Sequence, residues 1–338
     1  MRGICAVLGG VVLIGAGAGD AAAQAGGGWQ PPVYADTTSF TERELTVGSA
    51  PFELPATLTI PNTATGGPVP VVVLVHGSGP NDHDGTVGSR KPLKDLAWGL
   101  ASRGVAVLRY EKRTRLHAAK MDLANATVED ETIADVLAAL EVARAQPEIN
   151  AERAFVLGHS LGAMVAPEIA VRDGRLAGVI MMAAGGRPLA ESMLAQLDYI
   201  ATQPENQIPQ AKAQIAQMRA AAQRVASKEA APDERGLGVP AQYFYDLNEV
   251  AAPSRALDVK APMLILQGER DYQVTMEDFA IWRRTLEGRT NVSLVSYPGL
   301  DHLFVAGENP STPRETMLAP GNVAQQVIDD VAEFVKGR

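Results

Sequence analysis

Residues 154–162 read Ala154-Phe155-Val156-Leu157-Gly158-His159-Ser160-Leu161-Gly162, an apolar run that ends in a pentapeptide of the form G-x-S-x-G. A short, unbroken apolar run closed by glycine is the signature of a strand covered on both faces, and the residues that follow predict a helix through Met164 and Ile169. In that setting the serine is held up at the edge of a sheet, over a helix N-terminus whose partial positive charge favours a developing anion. The two glycines let the chain turn tightly and let its neighbours come close. Ser160 is therefore the expected nucleophile.

Working outward, the same short β-branched pattern recurs at Phe52 to Ile60, Val71 to Val75, Val105 to Arg109, Val179 to Met182, Met263 to Leu266 and Val292 to Tyr297. Helical periods lie between and beyond these runs. Ile133, Val136, Leu137 and Leu140 share one face, as do Val323, Val327, Ile328, Val331 and Phe334, and Thr275 with Asp278 forms an N-cap signature before Phe279, Trp282 and Leu286. Strands alternating with helices predict a doubly wound, mostly parallel α/β sheet. From about Arg187 to Leu257 the alternation stops, while Leu194, Leu197 and Ile200, then Ile208, Ile215 and Met218, keep helical spacing. The expected organisation is a core of residues 39–186 and 258–338 with a helical cap at 187–257, preceded by a loose Gly- and Pro-rich tail at 26–38.

A serine hydroxyl needs a neighbouring base, and histidine has the pKa for it. The chain has His76, His83, His117, His159 and His302. His302, directly after the last strand, stands where the order Ser, acid, His requires the base. The orienting acid must lie between Ser160 and His302 at the end of a strand, and Gly268-Glu269-Arg270-Asp271 meets that condition. Asp271 is the expected acid and Glu269 the competing one, whereas Asp301 adjoins His302 and would point away from its ring. Charge building on the carbonyl oxygen of an ester calls for two backbone N–H donors. Leu161, next after the nucleophile, offers one, and the loop His76-Gly77-Ser78-Gly79-Pro80 offers the other, from Ser78 or alternatively Gly79. Gly77, Gly79, His159 and Tyr272 flank these groups as expected substrate contacts.

The 338 residues are 46% hydrophobic and 20% charged, which suits a folded soluble protein. The net charge of −9 would repel a nucleic-acid backbone or an anionic lipid surface. Residues 1–25 carry Arg2, an apolar stretch from Ile4 to Ile14 and small residues around Ala21 to Ala25, the pattern of a secretory signal peptide; the stretch is shorter than the roughly 20 residues of a spanning helix. An exported protein, periplasmic or secreted, with no membrane span after processing is the expectation. The single cysteine, Cys5, lies in that leader, so the mature chain is expected to lack thiol chemistry and disulfides. The run Gly15-Ala16-Gly17-Ala18-Gly19 has the spacing G-x-G-x-G without a following helix, unlike a dinucleotide site. Asn81-Asp82-His83-Asp84-Gly85 lacks the distal glutamate of a calcium loop and reads as a polar mouth loop, and Arg109, Lys112, Arg113 and Arg115 read as a solvated basic face, with Arg109 or Arg113 able to brace the loop acids. No metal and no cofactor are expected.

Taken together, the elbow, the acid, the histidine and the Gly-rich loop resemble the serine hydrolases of the α/β-hydrolase fold, over about Phe52 to Lys336. More narrowly, His76-Gly77-Ser78-Gly79-Pro80-Asn81-Asp82, Lys91-Pro92-Leu93-Lys94-Asp95-Leu96-Ala97 and Val107-Leu108-Arg109-Tyr110-Glu111-Lys112-Arg113 are similar to bacterial carboxylesterases that carry a helical cap. His83 and Gly85 depart from that group, which has arginine and an acidic residue there. The resemblance implies hydrolysis of small carboxylic esters through an acyl-serine, without a cofactor. The same constellation would also serve a peptidase, amidase or thioesterase, and an inactive ligand-binding protein is the remaining rival.

Overall fold

A computed structural model describes residues 28–62, 67–308 and 310–337; the expected leader at 1–25 lies outside the described residues. Eight strands form one sheet: β1 Phe40–Val47, β2 Leu54–Pro61, β3 Val69–Val75, β4 Ala106–Tyr110, β5 Ile149–His159, β6 Gly178–Met182, β7 Met263–Gly268 and β8 Val292–Tyr297. Their spatial order is β1-β2-β4-β3-β5-β6-β7-β8, with β2 antiparallel to both of its neighbours and the pairs from β4 to β8 parallel. The doubly wound α/β sheet expected from the alternation is what forms. Strand β1 was not anticipated, because its charged residues Glu42, Arg43 and Glu44 alternate along a half-exposed edge and leave no apolar run to read.

Helices cover both faces. Along the connections run α1 Pro92–Ala101, α2 Arg113–Leu116, α3 Ala134–Arg144 and α4 Leu161–Asp173. Strand β3 shows why both sides must be covered: Val71, Val73 and Val75 belong to one apolar cluster while Val72 and Leu74 belong to the other, and all five are fully buried. Successive side chains of a strand point to opposite faces, so a continuous valine run demands a layer on each. After β6 the chain leaves the sheet for α5 Leu189–Ala201, α6 Pro209–Ala226 and α7 Ala241–Val250 before returning as β7. Arg187 anchors the departure, pairing with the buried Asp278 carboxylate at 2.6 Å, while the Gly186 amide donates to the same side chain at 3.0 Å. Asp278 stands in α8 Met276–Thr285, whose Thr275 capping box forms as its sequence indicates. Helices α9 Pro313–Leu318 and α10 Gln325–Lys336 complete the chain.

Residues 28–38 are not the loose tail that their composition suggests. Trp29 packs edge-on against Trp98 of α1 at 5.1 Å and donates from Nε1 to Asp95, and the Tyr34 hydroxyl donates to the Val323 carbonyl at 2.7 Å. Aromatic side chains with a polar tip can bury the ring and still satisfy the tip, and here two of them dock the segment.

Candidate active site

In this topology the chain runs from β3 out to β4 and then crosses back to β5 on the other side of β3, and the loops leaving β3 and β5 part at that switch point. Crevices at the carboxyl ends of parallel strands form at such points. The loop after β3 carries Gly77 and Ser78, and the turn after β5 carries Ser160.

Ser160 sits at φ 55°, ψ −118°, a left-handed backbone conformation that a non-glycine residue adopts only under constraint. Its neighbours supply the constraint. A Cβ on Gly158 would lie 2.2 Å from the Gly162 carbonyl oxygen, and one on Gly162 would lie 2.4 Å from that of Val75, so both glycines are required by close backbone approach. The Ser160 amide donates to the Met182 carbonyl at 2.9 Å, pinning the turn to the end of β6. Helix α4 then starts at Leu161, whose N–H, as the first of the helix, has no carbonyl one turn earlier to donate to.

Two strands further along the sheet, Asp271 and His302 come together. Asp271 Oδ2 lies 2.6 Å from His302 Nδ1, while its Oδ1 accepts from the Gln273 and Val274 amides at 2.7 and 3.0 Å. Both residues are buried. Burial by itself lowers the His302 pKa, but the charge and hydrogen bond of Asp271, reinforced by Asp301, outweigh it, and the net direction is upward. The loop carrying His302 approaches β7 so closely that a Cβ on Gly268 would lie 2.5 Å from the Leu300 carbonyl oxygen. Asp301 builds that loop: Oδ1 accepts from the Leu303 and Val305 amides, and Oδ2 pairs with the buried Arg90 at 2.5 Å. Glu269 accepts instead from the Ser296 hydroxyl.

His159 links the two halves. Its Nε2 donates to the His302 carbonyl at 2.8 Å, and the two imidazoles lie 4.8 Å apart. Burial, and then the nearby His302, push the His159 pKa down to about 3, so its ring remains a neutral donor. The ring of His159, a residue expected among the substrate contacts, thus braces His302. Tyr272 is buried and stacks on Tyr199 of α5 at 5.1 Å, tying the loop of Asp271 to the inserted helices. Gly77 runs beside the turn that carries Ser160, with its would-be Cβ 3.2 Å from Ser160 Cβ, and Gly79 adopts φ +90°.

Of the basic stretch expected as a solvated face, Arg115 is exposed, but Arg109 and Lys112 are not, and Arg109 braces a loop acid as the alternative expectation had it. Arg109 and Lys112 are each 2% exposed. Arg109 pairs with Asp84 and Glu42, Lys112 with Glu131, and Arg113 with Asp135. Asp84, read as part of a polar mouth loop, is likewise buried, within reach of Lys91 at 2.9 Å as well as Arg109. His83, one of the departures from the capped carboxylesterases, pairs with Glu111 at 2.7 Å. Asp84 meets Arg109, and His83 meets Glu111, because the topology lays the ends of β3 and β4 side by side, whereas Lys112 and Arg113 find their carboxylates in the turn and helix at 129–144.

Residues 72–315 match the Alpha/beta hydrolase family. The chain belongs to that family. Among the relatives of this α/β-hydrolase is esterase EstD of Thermotoga maritima, 44% identical over 307 residues, 91% of this chain and 70% of the relative. The fold also matches solved structures at low identity. The Pyrococcus furiosus esterase PF2001 aligns over 92% of this chain and 95% of its own with a TM-score of 0.54 at 17% identity. The Pyrococcus horikoshii acylaminoacyl peptidase aligns over 88% of this α/β-hydrolase with a TM-score of 0.57 at 16% identity, and this chain spans 42% of that one.

Proposed function

We propose that this protein is an exported serine carboxylesterase that hydrolyses small carboxylic esters through an acyl-serine intermediate. Ester hydrolysis by an α/β-hydrolase is supported by the family match and by the 44% identity to an esterase. The observation that carries the finer reading is the buried Asp271–His302 pair, joined through His159 to the strained turn of Ser160.

In this reading His302 Nε2, left free by the engagement of Nδ1 with Asp271, takes the Ser160 hydroxyl proton as Oγ bonds to the ester carbonyl carbon. The oxygen of the tetrahedral intermediate receives the Ser78 and Leu161 N–H groups. His302 then returns the proton to the departing alkoxide as the carbon–oxygen bond breaks. Water, deprotonated by the same ring, releases the carboxylic acid and restores Ser160. The helices at 187–257 act as a cap that shapes the acyl or alcohol pocket. Among the described residues no helix is long and apolar enough to cross a membrane.

The test is active-site labelling with a fluorophosphonate beside turnover of a short-chain p-nitrophenyl ester. The label is expected on Ser160, and Ser160→Ala is expected to lose both labelling and turnover with its circular dichroism unchanged. An active Ser160→Ala protein would refute the assignment. Matched ester, amide and thioester substrates separate the esterase from a peptidase or thioesterase, and the ester is expected to react fastest.

A further inference from the structure

A buried chain of polar groups runs from the inserted helices to the loop after β3. Tyr243 of α7 donates its hydroxyl to Glu131, Glu131 pairs with Lys112, and Lys112 Nζ donates to the Gly77 carbonyl at 2.8 Å. Glu131 is 3%, Tyr243 3% and Lys112 2% exposed, so water does not screen the chain. Burial and the adjacent carboxylate push the Tyr243 pKa well above its ordinary value, which keeps the phenol a donor. Glu131 stands in a π-helical turn, Glu129–Ile133, that leads into α3. Such local widenings recur at functional sites.

The Gly77 carbonyl and the Ser78 N–H belong to one peptide unit. A trans peptide is planar and its C=O and N–H point in opposite directions, so whatever holds the carbonyl aims the amide. Lys112 holds it from one position. Asn81 assists from another, its Nδ2 lying 3.1, 2.9 and 3.2 Å from the carbonyl oxygens of Gly77, Ser78 and Gly79. The same peptide runs beside Ser160, since a Cβ on Gly77 would meet Ser160 Cβ at 3.2 Å. An ammonium on the carbonyl oxygen also polarises the peptide and strengthens its N–H as a donor.

We propose that Lys112 is a positioning residue that aims the Ser78 amide at the oxyanion, and that Tyr243, acting through Glu131, makes this aim depend on the inserted helices being seated on the core. The proposal rests on the esterase reading of Ser160 and deepens it. It gives Lys112 no contact with substrate; its effect passes through the Gly77–Ser78 peptide. Because the oxyanion develops after binding, loss of aim lowers kcat and leaves KM nearly unchanged.

The experiment measures kcat and KM for a p-nitrophenyl ester, with kcat expressed per Ser160 titratable by fluorophosphonate, so that misfolded protein does not count. Lys112→Met is expected to lower kcat by about 100-fold, as a misplaced or missing oxyanion donor does, with KM within about twofold. Lys112→Met/Glu131→Leu removes both charges, avoids a lone buried carboxylate and is expected to show the same loss. Tyr243→Phe removes one hydroxyl and is expected to lower kcat about two- to tenfold at constant KM, the effect of one hydrogen bond. Titratable enzyme whose kcat stays within twofold of wild type in the lysine variants overturns the proposal, as does a loss expressed in KM alone. An unlabelled, inactive wild-type protein would instead overturn the esterase reading.

Discussion

Asp271 Oδ2 and His302 Nδ1 meet at 2.6 Å with the carboxylate wholly buried and the imidazole 6% exposed. The backbone amides of Gln273 and Val274 hold the other carboxylate oxygen, so the carboxylate is fixed independently of the histidine. An imidazole whose Nδ1 is committed in this way presents Nε2 in one tautomer and one direction.

Asp271→Asn keeps the shape of the acid and removes its charge. Turnover of a p-nitrophenyl ester is expected to fall by about 10³- to 10⁴-fold, with the fold retained by circular dichroism. A loss of less than tenfold would mean that the pair is structural.

The pH profile follows from the direction of the His302 shift. In the proposed mechanism the base is the neutral His302 ring, so kcat/KM is expected to rise with pH through the folded-state pKa, which lies on the alkaline side of about 6.5. The same shift stabilises the folded state, fully at pH below the unfolded value of about 6.5 and progressively less as pH rises through the folded value. Asp271→Asn should move the acid limb to lower pH and cost more Tm at pH 5.5 than at pH 9. An acid limb at or below the ordinary histidine value in wild type would contradict the assignment.

Arg90 and Asp301 form a pair with side chains 1% and 0% exposed, and Arg90 Nε also donates to the Ala319 carbonyl at 2.8 Å. Arg90→Met leaves the Asp301 carboxylate buried without its partner and is expected to destabilise the protein by about 3–5 kcal/mol. Activity should fall as well, since Asp301 builds the loop that carries His302. Arg219 and Asp198, 47% and 58% exposed, form the control pair, and Arg219→Met should change stability by no more than about 1 kcal/mol. Urea melts of the two variants make the comparison; equal midpoints would remove the argument from burial.

Gly162 tests the tightness of the elbow. Its alanine variant places Cβ against the Val75 and His76 carbonyl oxygens at 2.4 and 2.6 Å and is expected to lose about 3 kcal/mol, with reduced activity in what still folds. Gly104, at φ +84° with open space around it, should lose only the left-handed backbone strain of about 1–2 kcal/mol on change to alanine and keep its activity. Similar melts for the two variants would mean that β3 yields more easily than its packing implies.

Much of the fold was readable because its rules are local. A valine run such as Val71 to Val75 demands two covered faces wherever it lies, and a strand ending in Gly158-His159-Ser160-Leu161-Gly162 turns sharply whatever surrounds it. The meeting of Asp271 and His302 was readable for a related reason, since the loops that carry them leave the ends of neighbouring parallel strands. Lys112, Asn81, Glu131 and Tyr243 had no such signal. In sequence Lys112 is one of several cations after a strand, and a lysine bound for solvent looks the same as one bound for a buried carboxylate.

The amino-acid order alone therefore determined the alternation of elements, the α/β sheet they build, and the residues standing at the ends of its strands, because hydrophobic period and glycine-bounded turns act over a few residues. Only the tertiary structure decided which charges are buried and with whom. Gly77 and Lys112 are 35 positions apart, and Glu131 and Tyr243 are 112 apart. A buried ion pair exists only where the topology brings two loops together and excludes water, a condition met by the assembled sheet and its inserted helices and by no short stretch of chain.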